Sequence, residues 1–186
     1  MSNWKLSLAA NAVRNGEVIA YPTEAVYGLG CDPWNESAVF SLLSLKKRSV
    51  NKGLILIASN LQQLAPFVGD LDPSIKRRVL PTWPGPVTWL IPPVSCCPSF
   101  LYGQHNTIAV RVTNHPLVVA LCNELDSALV STSANIQGRD AARTSLRVRQ
   151  IFGNQLGYIL SGETDRALSP SKICHAQTGL VIRPAI

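Results

Sequence analysis

The chain has 186 residues, 46% of them hydrophobic, and a formal net charge of +6 from 17 basic and 11 acidic side chains. That length suits one domain over residues 1–186 with a sizeable core, and no apolar run approaches the ~18 residues of a membrane span. The basic balance favours anionic partners such as nucleotide, phosphate or nucleic acid, although mild basicity is also common among cytoplasmic proteins.

Residues 4–15 carry Trp4, Leu6, Leu8, Ala9, Ala12 and Val13 near helical spacing, and Gly16 is a plausible stop. This amphipathic segment is not the uninterrupted core of a signal peptide, so a cytoplasmic location is expected. Val18-Ile19-Ala20 predicts a buried strand, 18–21, that stops at Pro22 and runs into a loop through Asp32. In that loop Gly28 and Gly30 would let a ligand approach closely. Asn35 or Ser37 caps a helix over 36–47, with Val39, Phe40, Leu42, Leu43 and Leu45 as its buried side. That helix delivers Lys46 and Arg48 into the next loop. Leu54–Ala58 reads as a buried strand, Asn60 caps a short helix through Leu64, and 73–80 reads as another. Val87–Ile91 is a strand after the turn Trp83–Pro86. Thr107–Val112 is a strand that holds Arg111 inside an apolar run. A helix over 116–124 opens on Pro116. Ala128–Val130 is a short strand that ends in Ser131-Thr132-Ser133-Ala134-Asn135. A helix over 145–152 and strands near 156–160 and 179–183 close the chain. The irregular alternation predicts an α/β domain with a mixed sheet.

Several polar clusters fit chemistry. Lys46-Lys47-Arg48 with Lys52 puts four cations in seven residues. A polyphosphate would relieve their repulsion, whereas a solvated basic helix end would need no ligand. Ser131 to Gly138 gathers hydroxyls and an amide that suit phosphate oxygens or a hydrated metal ion, or simply a Ser- and Asn-rich turn. Arg111 within a strand needs an anion, which could be Glu24, Asp32 or a substrate carboxylate. Ser169-Pro170-Ser171-Lys172 and Arg183 form a weaker group. Further basic clusters lie at Lys76-Arg77-Arg78 and at Arg139, Arg143, Arg147 and Arg149.

Other arrangements are absent. There is no GxxxxGK[ST], no GxGxxG and no GxSxG, which argues against a P-loop, a dinucleotide fingerprint and a hydrolase elbow. The five cysteines show no CxxC pair and read as reduced thiols. His105, His115 and His175 are scattered and read as loop or cap residues rather than metal ligands.

Taken together, Tyr21–Asp32, Leu45–Arg48, Trp83–Thr88, Ala109–Val112 and Ser131–Asn135 resemble the YrdC/TsaC family of threonylcarbamoyl-AMP synthases, in order and spacing over nearly the whole chain. The length resembles the short bacterial form. The resemblance implies a twisted mixed sheet with flanking helices and a concave basic face. It implies synthesis of L-threonylcarbamoyladenylate and pyrophosphate from L-threonine, bicarbonate or CO2, and ATP, with Mg2+ accompanying the nucleotide. The product would feed threonylcarbamoyladenosine formation at tRNA position 37 through downstream tRNA threonylcarbamoyl-transfer proteins. By resemblance, Lys46, Arg48, Ser133 and Asn135 carry the phosphate chemistry, with Ser131, Ser169, Ser171 and Arg183 on the nucleotide side. Thr23 and Arg111 mark the threonine end, with Arg111 opposite the carboxylate. The chain has Ser49 and Gly53 where many relatives have Pro, and Ile57 where some longer relatives have His.

A second reading is a non-catalytic RNA-binding or ribosome-maturation factor that uses the basic face, since phosphate contacts alone give sequence-independent binding. Thr23 and Arg111 discriminate, because an RNA binder gains nothing from a Thr and a charged strand residue beneath a deep loop. A pure RNA site would also show exposed stacking aromatics, and aromatics make up only 6% of the chain.

Overall fold

The computed structural model describes residues 3–165 and 171–184. Its elements run α1 (Asn3–Arg14), β1 (Ile19–Pro22), β2 (Tyr27–Gly30), α2 (Glu36–Lys46), β3 (Ile55–Ala58), α3 (Ala65–Val68), α4 (Pro73–Val79), β4 (Val87–Ile91), α5 (Ser99–Tyr102), β5 (Ile108–Val112), α6 (Pro116–Leu125), β6 (Leu129–Ser133), α7 (Ser145–Phe152), β7 (Tyr158–Ile159), β8 (Lys172–His175) and β9 (Val181–Arg183). The strands form one mixed sheet in the order β7-β1-β2-β6-β3-β5-β4-β8-β9. The pairs β1–β7, β3–β5 and β4–β8 are parallel and the rest antiparallel.

Both faces of the central strands are covered, which is why they read as continuous apolar runs. The period of two sends alternate residues to opposite layers. Ile19, Tyr21, Ile57 and Leu129 share a core with Ala9 and Val13 of α1 and Val118 and Leu121 of α6. Ala20, Leu56, Ala58 and Val130 share the other with Val39 and Leu42 of α2, Phe67 of α3 and Phe152 of α7.

The segment expected to be a loop from Pro22 to Asp32 is instead a hairpin. β2 pairs antiparallel with β1, Tyr21 opposite Gly28, and also with β6, Gly28 opposite Ser133. Gly30 is required there by close approach. A Cβ on it would fall 2.5 Å from the Val130 carbonyl oxygen and 2.8 Å from the Tyr21 ring. Ser131, Thr132 and Ser133 are accordingly strand residues, not a turn after the strand. Phe40, expected on the buried side of its helix, is 44% exposed. β8 falls where the sequence showed only a weak polar cluster, because its strand character comes from parallel pairing with β4.

α2 ends in a way that matters for the site. Asn35 caps its start by accepting the Ala38 N–H at 3.0 Å. At its end Lys47 takes a left-handed conformation (φ 51°), and its N–H closes onto the Leu43 and Ser44 carbonyls. That reversal separates two neighbouring cations. Lys46 turns inward and is buried, while Arg48 emerges half-buried on the far side of the turn.

Candidate active site

On β6 the alternation Leu129, Ser131, Ser133 follows one face of the sheet from apolar core to polar end. Leu129 lies under α1 and α6. Ser131 and Ser133 line a cavity of about 240 Å3. The hairpin turn contributes Thr23 and Glu24, β5 contributes Arg111, and β4 contributes Thr88. Ser171 and Arg183 enter from the β8–β9 end, and Arg48 from the loop after α2. The fold therefore gathers seven of the sequence-predicted residues, Thr23, Arg48, Arg111, Ser131, Ser133, Ser171 and Arg183. Ser169 lies outside the described residues.

At one end of the cavity Arg111 Nη2 donates to Glu24 Oε2 at 2.7 Å, and both residues are nine-tenths buried. Of the two carboxylates of the chain open to Arg111 in the sequence, Glu24 and Asp32, Glu24 is the one it meets. Thr113 Oγ1 donates to the other carboxylate oxygen at 2.7 Å. Burial opposes ionisation of Glu24, but the Arg111 charge and the Thr113 hydroxyl outweigh it and hold the carboxyl below its usual range. Thr23 Oγ1 donates to the Val26 carbonyl at 2.7 Å, which closes the hairpin turn that carries Glu24.

Two other arginines are less satisfied. Arg48 donates through Nη2 to the Gly53 carbonyl at 2.9 Å, and Arg183 through Nη2 to the Ser171 carbonyl at 2.8 Å. Each keeps a buried Nε–H with no partner. Burial lowers the pKa of both guanidinium groups, with the Arg111 charge adding to the effect at Arg183. Orphaned cationic donors bordering a cavity fit an anion that supplies the missing acceptors. Gly53 holds φ at 61°, a conformation closed to proline, whose ring fixes φ near −65°. Thr88 Oγ1 and Ser171 Oγ lie 2.8 Å apart on the same side.

Lys46 and Asn135 are held by bonds within the protein. Lys46 is only 3% exposed, because it ends the buried face of α2, four and three positions after Leu42 and Leu43. Its Nζ donates to the Ser133 carbonyl, to the Asn135 carbonyl at 2.9 Å and to Asn135 Oδ1 at 3.3 Å. Burial, with the Arg48 charge second, pushes this ammonium down to about 8. Ser133 Oγ donates to Asn135 Oδ1 at 2.6 Å, and Asn135 Nδ2 donates to the Arg139 carbonyl at 2.7 Å. Lys46 and Asn135 thus brace the end of β6, and neither lines the cavity.

Sequence reading missed Thr88 and Thr113 and gave Glu24 only as one candidate partner. The signal for Thr113 was present: it stands two positions after Arg111, on the same side of an extended chain.

Residues 11–185 match the family model Sua5/YciO/YrdC, which is described as telomere recombination. The chain belongs to this family. It is 52% identical over 185 residues to a threonylcarbamoyl-AMP synthase of Pseudomonas fluorescens (strain Pf-5). It is 53% identical over 185 residues to one of Pseudomonas aeruginosa (strain PAO1). In both cases 100% of each chain is covered. Among solved structures, P. abyssi Sua5 complexed with L-threonine superposes with a TM-score of 0.92 at 27% identity. That match covers 100% of this chain and 55% of the longer Sua5 chain. The mixed sheet and flanking helices expected from the sequence are the architecture of this family member.

Proposed function

We infer that the cavity forms L-threonylcarbamoyladenylate and pyrophosphate from L-threonine, bicarbonate or CO2, and ATP. The observation that carries this reading is the full-length identity to two threonylcarbamoyl-AMP synthases, joined to a cavity with three arginines on its walls. The enzyme is then a nucleotidyltransferase.

The chemistry suits these residues. Threonine carbamate is an anion that attacks the α-phosphorus of ATP, forming one P–O bond as the bond to pyrophosphate breaks. Both partners are negative, so the barrier falls when fixed cations and donors hold them together. Arg48 and Arg183 bring unsatisfied N–H groups, and Ser131, Ser133 and Ser171 bring hydroxyls, to the nucleotide side. Lys46 and Asn135 act behind them by holding the end of β6. Arg111 and Thr23 serve the threonine end.

Among the described residues no three His, Cys, Asp or Glu side chains cluster to hold a metal. Glu24, the carboxylate on the cavity wall, has both oxygens engaged. On this reading Mg2+ would arrive with the nucleotide, held by its phosphates and water.

The product would pass to downstream tRNA threonylcarbamoyl-transfer proteins for modification of tRNA position 37, in the cytoplasm. Among the described residues no helix is long and apolar enough to cross a membrane. The test is pyrophosphate release from ATP. Release that requires threonine and bicarbonate together is expected, and release equally fast without threonine would overturn the reading.

A further inference from the structure

Thr113 is fully buried and lies outside the cavity wall, two residues beyond Arg111. Its own N–H donates to the Ala58 carbonyl at 3.0 Å, which continues the β3–β5 pairing and fixes its backbone. Its Oγ1 accepts the His115 N–H at 3.1 Å and lies 2.7 Å from Glu24 Oε1. A backbone N–H can only donate, so the single hydroxyl hydrogen is left for the carboxylate. The direction of this chain is forced: His115 N–H to Thr113, and Thr113 O–H to Glu24.

A carboxylate facing a guanidinium commonly pairs through both oxygens in a fork. Here Thr113 takes Oε1, and Arg111 meets Oε2 alone, through Nη2. Among the described residues Arg111 makes no other side-chain hydrogen bond. The hydroxyl thus restricts Glu24 to one contact and leaves donor capacity on a guanidinium that borders the cavity.

We propose that Thr113 is a positioning residue for the amino-acid substrate: by holding Glu24 in a one-oxygen pair, it keeps Arg111 able to receive a second carboxylate. This rests on the reading that Arg111 faces the threonine carboxylate. Without the hydroxyl, Glu24 turns to grip Arg111 with both oxygens and competes with the substrate. The nucleotide side, built from Arg48, Arg183 and Ser171, is untouched.

The experiment measures KM for threonine and for ATP, kcat and the melting temperature in wild type, Thr113→Val, Thr113→Ser and Arg111→Met. Thr113→Val is nearly isosteric and lacks the donor. It is expected to raise the threonine KM about tenfold, the order of one hydrogen bond to a charged group, with the ATP KM unchanged. Thr113→Ser should restore the threonine KM to within about twofold, because it keeps that bond. If Thr113→Val does not fold, Thr113→Cys, a weaker donor of similar size, should give an intermediate threonine KM. A merely structural Thr113 would lower the melting temperature and move the two KM values together or not at all, and that result overturns the proposal. If Arg111→Met raises the threonine KM and Thr113→Val does not, the proposal falls and the role of Arg111 stands. If neither moves it, both fall.

Discussion

Lys46 Nζ donates to the main-chain oxygen of Asn135 at 2.9 Å, across 89 positions of sequence. With the Ser133 carbonyl and the Asn135 side chain it fills all three donor positions of the ammonium. The ammonium therefore joins the end of α2 to the end of β6. Its neighbour Arg48, past the left-handed Lys47, keeps a buried Nε–H without a partner.

Lys46→Ala should accordingly cost stability as well as activity. It removes the ammonium that donates to the Ser133 and Asn135 carbonyls, and a hydrogen bond to a charged group contributes about 1.5–3 kcal/mol. A fall of roughly 3 kcal/mol or more in urea denaturation is expected. A variant as stable as wild type would show that Lys46 does not brace β6.

Arg48→Ala should behave in the opposite way. The side chain is half-buried and its one close bond is to the Gly53 carbonyl, so the stability change should stay within about 1 kcal/mol. Loss of a guanidinium donor to phosphate should weaken ATP binding at least about tenfold. Calorimetric titration decides it: equal affinity in the two proteins would remove Arg48 from the nucleotide site.

Arg111→Met should do two things at once. It removes one partner of a buried ion pair, a change that typically costs about 3–5 kcal/mol because the other charge is stranded. The ligand-free protein should therefore melt lower. It should also lose the stabilisation by threonine, which at a hundredfold excess over Kd is about 2.7 kcal/mol in wild type. Melts of both proteins with and without threonine read both effects, and a threonine shift that survives the substitution would exclude the carboxylate role.

Glu24→Gln should change the acid limb of stability. Arg111 and Thr113 hold the Glu24 carboxyl below its ordinary value of 4.5 in the folded protein, so the unfolded chain takes up the proton first as pH falls. The ionised pair then contributes stability that is present above pH 4.5 and is lost as pH drops through the folded value. Wild type should exceed Glu24→Gln in stability at neutral pH, and the two should converge in acid. Parallel denaturation profiles at all pH values would show that the pair is not linked to folding.

Much of this protein is determined by the sequence alone, because the signals are short-range. Apolar runs such as Leu54–Ala58 make β3 central, Asn35 caps α2, Pro116 opens α6, and the order of the polar clusters carries the family resemblance. Only the tertiary structure decided which way those polar residues face. Pairing between β2 and β6 turned an apparent Ser-rich turn into strand, and parallel pairing with β4 created β8. Arg111 found Glu24 across 87 positions. Helical spacing kept Lys46 on the buried face of α2 and the left-handed Lys47 led Arg48 away from it, although the two stand two positions apart in a single basic cluster. Propensity and alternation act over a few residues, whereas the partner of a charge depends on which strands the sheet sets next to one another.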